Sequence, residues 1–285
     1  MRAVLRTTGF VWRHPLNRGG RIAAMGRLLR WQIASRLMGG RVEIPFAGGT
    51  SLFARRGMTG ATGNWYAGLH EAEDMAFCLH LLRAGDLFVD VGANVGSYTV
   101  LAAGACRAEV VAVEPSAETR AALRSNVALN GIEGRVEIHA VGLGAAEGEM
   151  RLSLGRGPMN RALADGDDAP SETVPIRTLN AILGGRAPAL LKIDVEGGEA
   201  DVLKGAAEAL ASPGLRAVIA EANDAGAVGR LLAEHGFVPA SYDPHARRLG
   251  PPVPGANALF VRDDAALRAR LAEAPPTRLG NGATI

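Results

Sequence analysis

The sequence is poor in cysteine and has no long apolar run, and these two absences limit its class. Only Cys78 and Cys106 occur among 285 residues. They lack the paired spacing of a zinc or redox site, so we expect buried, reduced thiols. No apolar stretch reaches the roughly 20 residues of a membrane span, and no apolar leader with a small-residue cleavage site is evident. We therefore expect a soluble, uncleaved, cytoplasmic protein with one main domain.

Aromatic residues, lysine and N-terminal acids are also scarce. Aromatics make up 5% of the chain and the formal net charge is +2. That leaves few stacking platforms and little positive field, so no nucleic-acid partner is expected. Lysine occurs only at Lys192 and Lys204. Residues 1–41 hold nine arginines and no acid, so the excess of acid lies in the remainder of the chain.

The arginine-rich segment predicts a helix over residues 21–37 with an apolar stripe and with arginines outside the stripe. The stripe consists of Ile22, Met25, Leu29, Ile33 and Leu37. A basic amphipathic helix of this kind can lie on anionic membrane, which makes peripheral membrane contact one expectation. The alternative is that the helix packs on the main domain while its arginines stay in water.

Two elements and a loop are predicted between this helix and the main sheet. Residues 41–57 alternate as in a hairpin that turns at Gly48 and Gly49. Residues 58–68 form a glycine-rich loop. Residues 70–85 show helical spacing that ends at a glycine.

From Leu87 onward the period changes to short apolar strands separated by helices. Alternating strands and helices require parallel pairing with helical crossovers. We predict an α/β fold: a doubly wound, mostly parallel seven-stranded sheet with an N-terminal helix and β-hairpin extension. The last two strands, joined by "PHARR", form an edge hairpin. Residues 155–172 form a long surface loop, and the tail after Pro275 is expected to be disordered.

The run "DLFVDVGANVGSYTV" places a glycine turn at the end of the first of these strands. Ligands of open parallel sheets bind beyond the carboxyl ends of the strands. A dinucleotide fingerprint needs glycine where Asn94 and Ser97 stand, so that pattern is broken. The glycines let the backbone approach a ligand, the start of the next helix offers amides to a carboxylate, and the acid accepts hydrogen bonds from an ammonium group. The residues of this pattern are Asp90, Gly92, Ala93, Asn94 and Gly96.

A second acid, Glu114, closes the next strand 24 residues after Asp90. An acid at that position hydrogen-bonds the two ribose hydroxyls of a nucleotide. Pro115 follows, and Ser116 begins a helix as its N-cap. An amino acid joined to a ribose describes S-adenosylmethionine as the cofactor. The competing interpretation, an ordinary strand, turn and helix without a ligand, leaves both acids unexplained.

A second constellation lies in "LLKIDVEGGEADVLKGA". Alternation along the strand sends Lys192, Asp194 and Glu196 to one face, so both acids should emerge beside the glycine turn. Two close carboxylates raise each other's pKa, which suits one of them to act as a base towards an acceptor hydroxyl. The alternative is that Lys192 or an arginine neutralises them and that Glu199 only caps the following helix.

These motifs together resemble the FkbM family of S-adenosylmethionine-dependent methyltransferases. The resemblance rests on "FVDVGANVGSYT", "VEPS", "NVALNG", "LKIDVEGGE" and "VLKGA", which occur in the family's order over about residues 80–223. It implies a class I methyltransferase fold and O-methylation of a hydroxyl on a sugar, polysaccharide or secondary metabolite. One departure is Asn180, where members usually carry an acid.

We therefore place the methyltransferase domain at residues 70–263. The basic helix and hairpin extension take residues 1–69, and a C-terminal helix with a flexible tail takes residues 264–285. The expected partner is a small-molecule or glycan acceptor, whose identity the resemblance does not carry over. The oligomeric state stays open.

Two sets of site residues follow. Asp194 is expected to bridge cofactor and acceptor, and Glu196 is the candidate catalytic base; these two form the catalytic set. Asp90 is assigned to the methionine amino group, Glu114 to the ribose and Val141 to the adenine side. The full cofactor-binding set is Asp90, Gly92, Ala93, Asn94, Gly96, Glu114, Pro115, Val141 and Asp194.

Three alternatives remain open at this point. The first is a nicotinamide-dependent oxidoreductase, and the second is a noncatalytic member of the fold that binds a partner. The third is a Mg²⁺ ion held by Asp194, Glu221 and Asn223, although no cluster has metal-ligand spacing and no metal is assigned. His70 and His80 flank the helix before the first strand and are not assigned to catalysis.

Overall fold

A computed structural model describes residues 2–37, 40–153, 163, 167–195, 197–220, 225–253 and 258–285. The helices in these residues are α1 Arg2–Arg13, α2 Arg21–Leu37, α3 Thr59–Ala67, α4 Ala72–Leu81, α5 Ser97–Val100, α6 Ala117–Leu129, α7 Leu179–Leu183, α8 Glu199–Lys204, α9 Ala207–Ala211, α10 Ala225–Glu234 and α11 Ala265–Ala272. A π-helical turn, Leu101–Ala105, continues α5.

The strands are β1 Val42–Pro45, β2 Ser51–Ala54, β3 Leu87–Val91, β4 Glu109–Val113, β5 Val136–His139, β6 Gly142–Leu143, β7 Gly148–Ser153, β8 Ser171–Arg177, β9 Leu190–Ile193, β10 Ala217–Ala220, β11 Val238–Asp243, β12 Arg248–Gly250 and β13 Ala258–Val261. They form a two-stranded, an eight-stranded and a three-stranded sheet.

The large sheet has the order β12-β11-β13-β10-β9-β3-β4-β5. Strands β5, β4, β3, β9 and β10 pair in parallel, and β13 pairs antiparallel with both β10 and β11. The α/β expectation is therefore confirmed. The expected number of strands, seven, is wrong by one, because the large sheet has an eighth strand, β12, at its edge.

The extra strand begins at Arg248, the last residue of the segment "PHARR". The Asp243 carboxylate accepts hydrogen bonds from the amides of His245 (2.9 Å) and Ala246 (3.0 Å), and Arg247 adopts a left-handed φ of 53°. This side-chain turn folds β12 back onto β11. The predicted antiparallel pairing of the last two strands is correct, but β12 lies between them in the chain.

Apolar side chains form a core on each face of the large sheet. One face buries Phe77 of α4 and Phe88 of β3, and it extends to residues of the N-terminal helices and of the chain end. The other face buries Leu191 of β9 with Val202 of α8 and Phe237. Both faces of the parallel strands are thus covered, as a doubly wound sheet requires.

Helix α2 has the predicted bounds but not the predicted packing face. Ala24, Leu28 and Trp31 are buried, whereas the predicted stripe is exposed except for Met25. Apolar residues occur on both sides of the helix, and polar contacts fix which side turns inward. Arg27 on the buried side donates to the Tyr66 carbonyl oxygen at 2.8 Å.

The predicted glycine-rich loop at residues 58–68 is wrong, because most of it forms α3. Ala61, Tyr66 and Ala67 are buried there. A side chain at Gly63 would place Cβ 2.1 Å from His70 Nδ1. Close packing against neighbouring segments therefore outweighs the low helix propensity of glycine.

The hairpin β1–β2 forms as predicted, and two asparagines, Asn126 of α6 and the C-cap residue Asn130, hold it against the main domain. Asn126 Oδ1 accepts from the Phe53 amide at 2.7 Å, and Asn130 bonds both backbone groups of Ser51 at 2.8 Å. Asn126 Nδ2 also donates to the Val95 carbonyl oxygen at 2.7 Å. One helix face thereby joins the extension to the glycine turn.

Two further segments differ from expectation. Strands β7 and β8 form a hairpin on either side of the predicted 155–172 loop; most of that loop lies outside the described residues. The tail after Pro275 was expected to be disordered, but it packs. Leu279 and Ile285 are buried, and Leu279 forms an isolated antiparallel β-bridge with Ala47. Apolar burial against the hairpin is the physical reason.

Among the helices that the structure describes, none is long and apolar enough to cross a bilayer.

Candidate active site

Three strand ends meet at the carboxyl edge of the large sheet. Val91 of β3 is in register with Val113 of β4 on one side and with Ile193 of β9 on the other. The glycine turn, Glu114 and Asp194 follow these three residues directly. The structure thus brings together the two sequence motifs that were predicted to share one edge.

The turn after β3 requires its glycines. Gly92 and Gly96 have φ values of 74° and 90°, and Asn94 also lies in the left-handed region at 53°. A Cβ on Gly92 would lie 1.9 Å from the Asp194 carbonyl oxygen. The amides of Gly92 and Ala93 both donate to the Val113 carbonyl oxygen at 3.0 Å. The turn is therefore locked between β4 and the end of β9.

Glu114 holds the outer side of this turn. Its Oε2 accepts from the Asn94 amide at 2.8 Å, and its Oε1 accepts from the Ser116 amide at 2.9 Å and from Thr119 Oγ1 at 2.7 Å. Burial raises the pKa of Glu114, and the three hydrogen bonds partly offset that rise. Ser116 is the N-cap residue of α6, as predicted, but its side chain makes no capping hydrogen bond, and Glu114 binds its amide.

Asp90 lies on the inner side of the turn and is 1% exposed. Its Oδ2 accepts from Thr99 Oγ1 at 2.7 Å. Its Oδ1 is buried and has no hydrogen-bond partner among the described residues. Burial raises the pKa of Asp90, while the charge of Lys192 and the Thr99 bond lower it in part. The free oxygen can accept a hydrogen bond from a ligand.

Lys192 is the cation of this site. It is buried beside Asp90, which it faces in the β3–β9 register. Its Nζ lies 2.9 Å from Asp194 Oδ2 and 4.9 Å from the centre of the Tyr98 ring. Burial alone would lower the pKa of Lys192, but the carboxylates of Asp194, Asp90 and Glu71 raise it overall. Lys192 thus forms an ion pair with Asp194, as in the alternative in which a cation neutralises the acids of this strand.

Other predicted site residues have less direct placements. Pro115 follows Glu114, and its carbonyl oxygen accepts from Arg120 at 2.7 Å. Val141 packs on the core that contains Leu191, Val202 and Phe237, and its adenine role stays a prediction. Glu196 lies outside the described residues, as do Glu221 and Asn223. Glu199 is buried at the start of α8 and accepts from the Gly197 amide at 3.1 Å.

A cleft of about 830 Å³ lies between α1 and the start of α4. Phe10, His14, His70 and Glu71 belong to its lining. Glu71 Oε2 accepts from the Tyr98 hydroxyl at 2.7 Å. This bond connects the cleft wall to Lys192 through the Tyr98 ring. His80, by contrast, lies in the core and contacts the Tyr242 hydroxyl at 2.6 Å.

Sequence reasoning did not assign four residues that complete this site. Tyr98 and Thr99 lie within the quoted "GSYT", and Glu71 belongs to the acidic run before α4. Lys192 carried one signal, because it is one of two lysines in an arginine-rich chain. Their roles depend on contacts between separate segments, which spacing along the chain does not reveal.

Comparison with known proteins agrees with this geometry. Residues 90–239 match the pattern of the Methyltransferase FkbM domain. The chain belongs to the FkbM methyltransferase family. It is 34% identical over 201 residues, 57% of this chain and 77% of the relative, to the 31-O-demethyl-FK506 methyltransferase FkbM of Streptomyces tacrolimicus. The protein is thus a methyltransferase, and the oxidoreductase alternative is set aside.

Two solved structures are similar at lower identity. An S-adenosylmethionine-dependent O-methyltransferase from Thermotoga maritima is 18% identical, with a TM-score of 0.37, and the match covers 66% of this chain and 63% of that one. A Streptococcus mutans protein in complex with S-adenosylhomocysteine is 11% identical, with a TM-score of 0.40, over 66% and 93%. At such TM-scores these matches do not bear on the chemistry.

The contact of Gly92 predicts a stability difference between two glycines. Gly92→Ala should lower the free energy of unfolding by more than about 3 kcal/mol. The alanine would have to adopt a positive φ, and its methyl group would also collide with the backbone of Asp194. Gly85→Ala is the matched control, since Gly85 has a φ of 85° but nothing within 4 Å, and should cost about 1–2 kcal/mol. Urea denaturation measures both. Equal losses would contradict the constraint.

The burial of Asp90 predicts a pH-dependent gain in stability. Because the folded-state pKa of Asp90 is raised, its ionised form is disfavoured, and the stability present at low pH is lost as pH rises. Asp90→Asn should therefore increase the free energy of unfolding at pH 7. The gain should shrink as pH falls towards the ordinary aspartate pKa of about 3.9.

Urea denaturation at several pH values checks this, with the exposed Asp201→Asn as control. An Asp90→Asn variant less stable than the parent at neutral pH would contradict it.

Proposed function

We propose that this methyltransferase uses S-adenosylmethionine to O-methylate a hydroxyl group of a sugar, polysaccharide or secondary metabolite. The observation that carries the cofactor assignment is the buried Oδ1 of Asp90, which has no partner among the described residues and lies beside a turn built on Gly92 and Gly96. An amino acid ammonium group supplies the donor that this oxygen lacks. The residues present therefore fit the cofactor.

Charge at the sheet edge supports the same cofactor. Three carboxylates, of Asp90, Asp194 and Glu114, gather here with two cations: Lys192, and Arg120 beside Glu114. An excess of negative charge in a partly buried site favours a cationic ligand. S-adenosylmethionine carries both an ammonium and a sulfonium group.

The cofactor-binding roles follow from position. Asp90 accepts from the methionine ammonium group, and residues 92–96 let the backbone lie against the ligand. Glu114 uses the remaining lone pairs of its carboxylate for the ribose hydroxyls, because each carboxylate oxygen accepts more than one hydrogen bond. Val141 is proposed to lie on the adenine side.

When bound, S-adenosylmethionine supplies an electrophilic methyl group, so the protein contributes mainly alignment and removal of a proton. Lys192 fixes the Asp194 carboxylate at the edge that faces the donor. Tyr98 donates to Glu71 and thereby aims that carboxylate within the cleft. We propose that the cleft receives the acceptor and that Glu71 orients its hydroxyl. Glu196 would take the hydroxyl proton when the methyl group passes from the sulfonium sulfur, which would leave as a neutral thioether, to the hydroxyl oxygen.

The cleft suits an acceptor with several hydroxyls. Its volume of about 830 Å³ is within the range of small-molecule sites. Carboxylates of Glu71, Glu73 and Asp74 line it together with the rings of Phe10 and His70. Carboxylates accept hydrogen bonds from hydroxyl groups, and ring faces pack on the C–H surfaces of sugars or macrolides.

The cofactor assignment predicts the result of a titration. Glu114→Ala should raise the Kd for S-adenosylmethionine at least about tenfold, because hydrogen bonds to a charged group are lost. Isothermal titration calorimetry measures this value. Glu118→Ala is the control, since Glu118 lies in the first turn of the same helix and is exposed. Thermal melts verify that both variants are folded. Unchanged affinity of folded Glu114→Ala would refute the ribose assignment.

The acceptor assignment predicts a separate effect on transfer. Trideuteromethyl S-adenosylmethionine is incubated with an extract of polar metabolites and glycans, and mass spectrometry detects labelled products. Glu71→Gln should slow labelling about 100-fold or more while cofactor affinity stays unchanged. Glu73→Gln, on the exposed side of the same cleft, should label normally.

Normal labelling by Glu71→Gln would remove Glu71 from the acceptor site. Slower labelling by Glu196→Gln, with a residual pH–rate profile that lacks the acid limb of the parent, would support Glu196 as the base.

A further inference from the structure

Exposed apolar side chains are concentrated on the two N-terminal helices. Eight large hydrophobic residues are exposed in the described part of the chain, and six of them belong to α1 and α2. We call these six the apolar face: Leu5, Trp12, Ile22, Leu29, Ile33 and Leu37. Single exposed apolar residues are ordinary, but a contiguous group marks a surface that another body covers.

The geometry of α2 aligns the four residues of the apolar face that this helix carries. Residues 22, 29, 33 and 37 repeat at helical spacing, so they lie along one side of the helix. Ile22 is 85% exposed, Leu29 62%, Ile33 52% and Leu37 80%. The opposite side of α2 packs on the domain through Leu28 and Trp31. The helix is therefore anchored by one side and leaves its other apolar side in water.

The helices that carry the apolar face are themselves basic, although α1 also borders the cleft lined by Glu71, Glu73 and Asp74. Residues 1–41 contain nine arginines and no acid. Those exposed on and beside the two helices are Arg6, Arg13, Arg18, Arg21, Arg30 and Arg36. The Arg21 guanidinium lies 5.4 Å from the centre of the exposed Trp12 ring. Tryptophan and arginine side by side are frequent at membrane surfaces, where an apolar body and a polar end are both accommodated.

The charge decides between two occupants of this face. A second copy of the chain packed face to face along α2 would bring the arginines of two copies of that helix together, which is unfavourable. An anionic lipid surface offers acyl chains to the leucine and isoleucine side chains and phosphates to the arginines. We propose that the apolar face of α1 and α2 docks the protein peripherally on anionic membrane.

Vesicle co-sedimentation of the full chain tests this proposal. The protein should sediment with phosphatidylcholine vesicles that contain phosphatidylglycerol, and weakly with phosphatidylcholine alone. The Leu29→Ser/Ile33→Ser variant should lose binding at least about tenfold. Val238→Ser is the matched control, because Val238 is an exposed apolar residue away from this face. All three substitutions are at exposed positions, and circular dichroism verifies the fold.

Arginine variants provide a second test of the same proposal. Arg30→Gln/Arg36→Gln should reduce binding to the anionic vesicles about fivefold per arginine, and added salt should weaken binding of the parent. Equal binding to both vesicle types, or no binding by the parent, would overturn the proposal. So would a dimer, detected by light scattering, that Leu29→Ser/Ile33→Ser dissociates, because a second copy would then cover the face.

Discussion

The close approach of Gly92 to the Asp194 carbonyl oxygen is the contact on which the site depends. The turn after β3 and the end of β9 come from segments about a hundred residues apart in the chain, and a single methyl group between them would force them apart. Because the backbones touch, Asp90, Lys192 and Asp194 share one small region. A glycine requirement in the backbone thus sets the spacing of the charged groups.

The charged groups in turn depend on one another. Asp90 is buried and would be costly as an isolated ion, and Lys192 beside it would be equally costly alone. Asp194, at the edge, extends the pair towards solvent and balances the lysine. Tyr98 then covers the lysine with its ring and donates its hydroxyl to Glu71. The chain of contacts links the donor side of the site to the cleft.

Much of the sheet and half of the site could be predicted from the sequence. Strand and helix alternation after Leu87 is a local pattern, so the α/β class and the start and end of α6 at 117 and 129 were predicted correctly. The meeting of Asp90, Glu114 and Asp194 at one edge also follows from parallel pairing, because carboxyl ends of parallel strands lie side by side.

What the sequence could not supply depends on packing. The buried side of α2 could not be chosen, since both sides carry apolar residues and Arg27 decides between them by contacts with residues far along the chain. Helix α3 forms although its glycines favour a loop, because a histidine ring packs against the helix at Gly63, where a side chain would not fit. Burial of the chain end similarly depends on Ala47 and its neighbours in β1–β2, about 230 residues earlier.

The asparagine pair of α6 and its C-cap has a consequence for anyone who wishes to isolate a minimal catalytic fragment. Asn126 and Asn130 are complementary to the backbone of β2, and Asn126 also supports the turn at Val95. A fragment that starts at residue 70 would leave these amides without their partners and would uncover the apolar surface beneath the hairpin. Truncation is therefore a poor route to crystals or to a smaller enzyme; fusion tags belong at positions that spare β1 and β2.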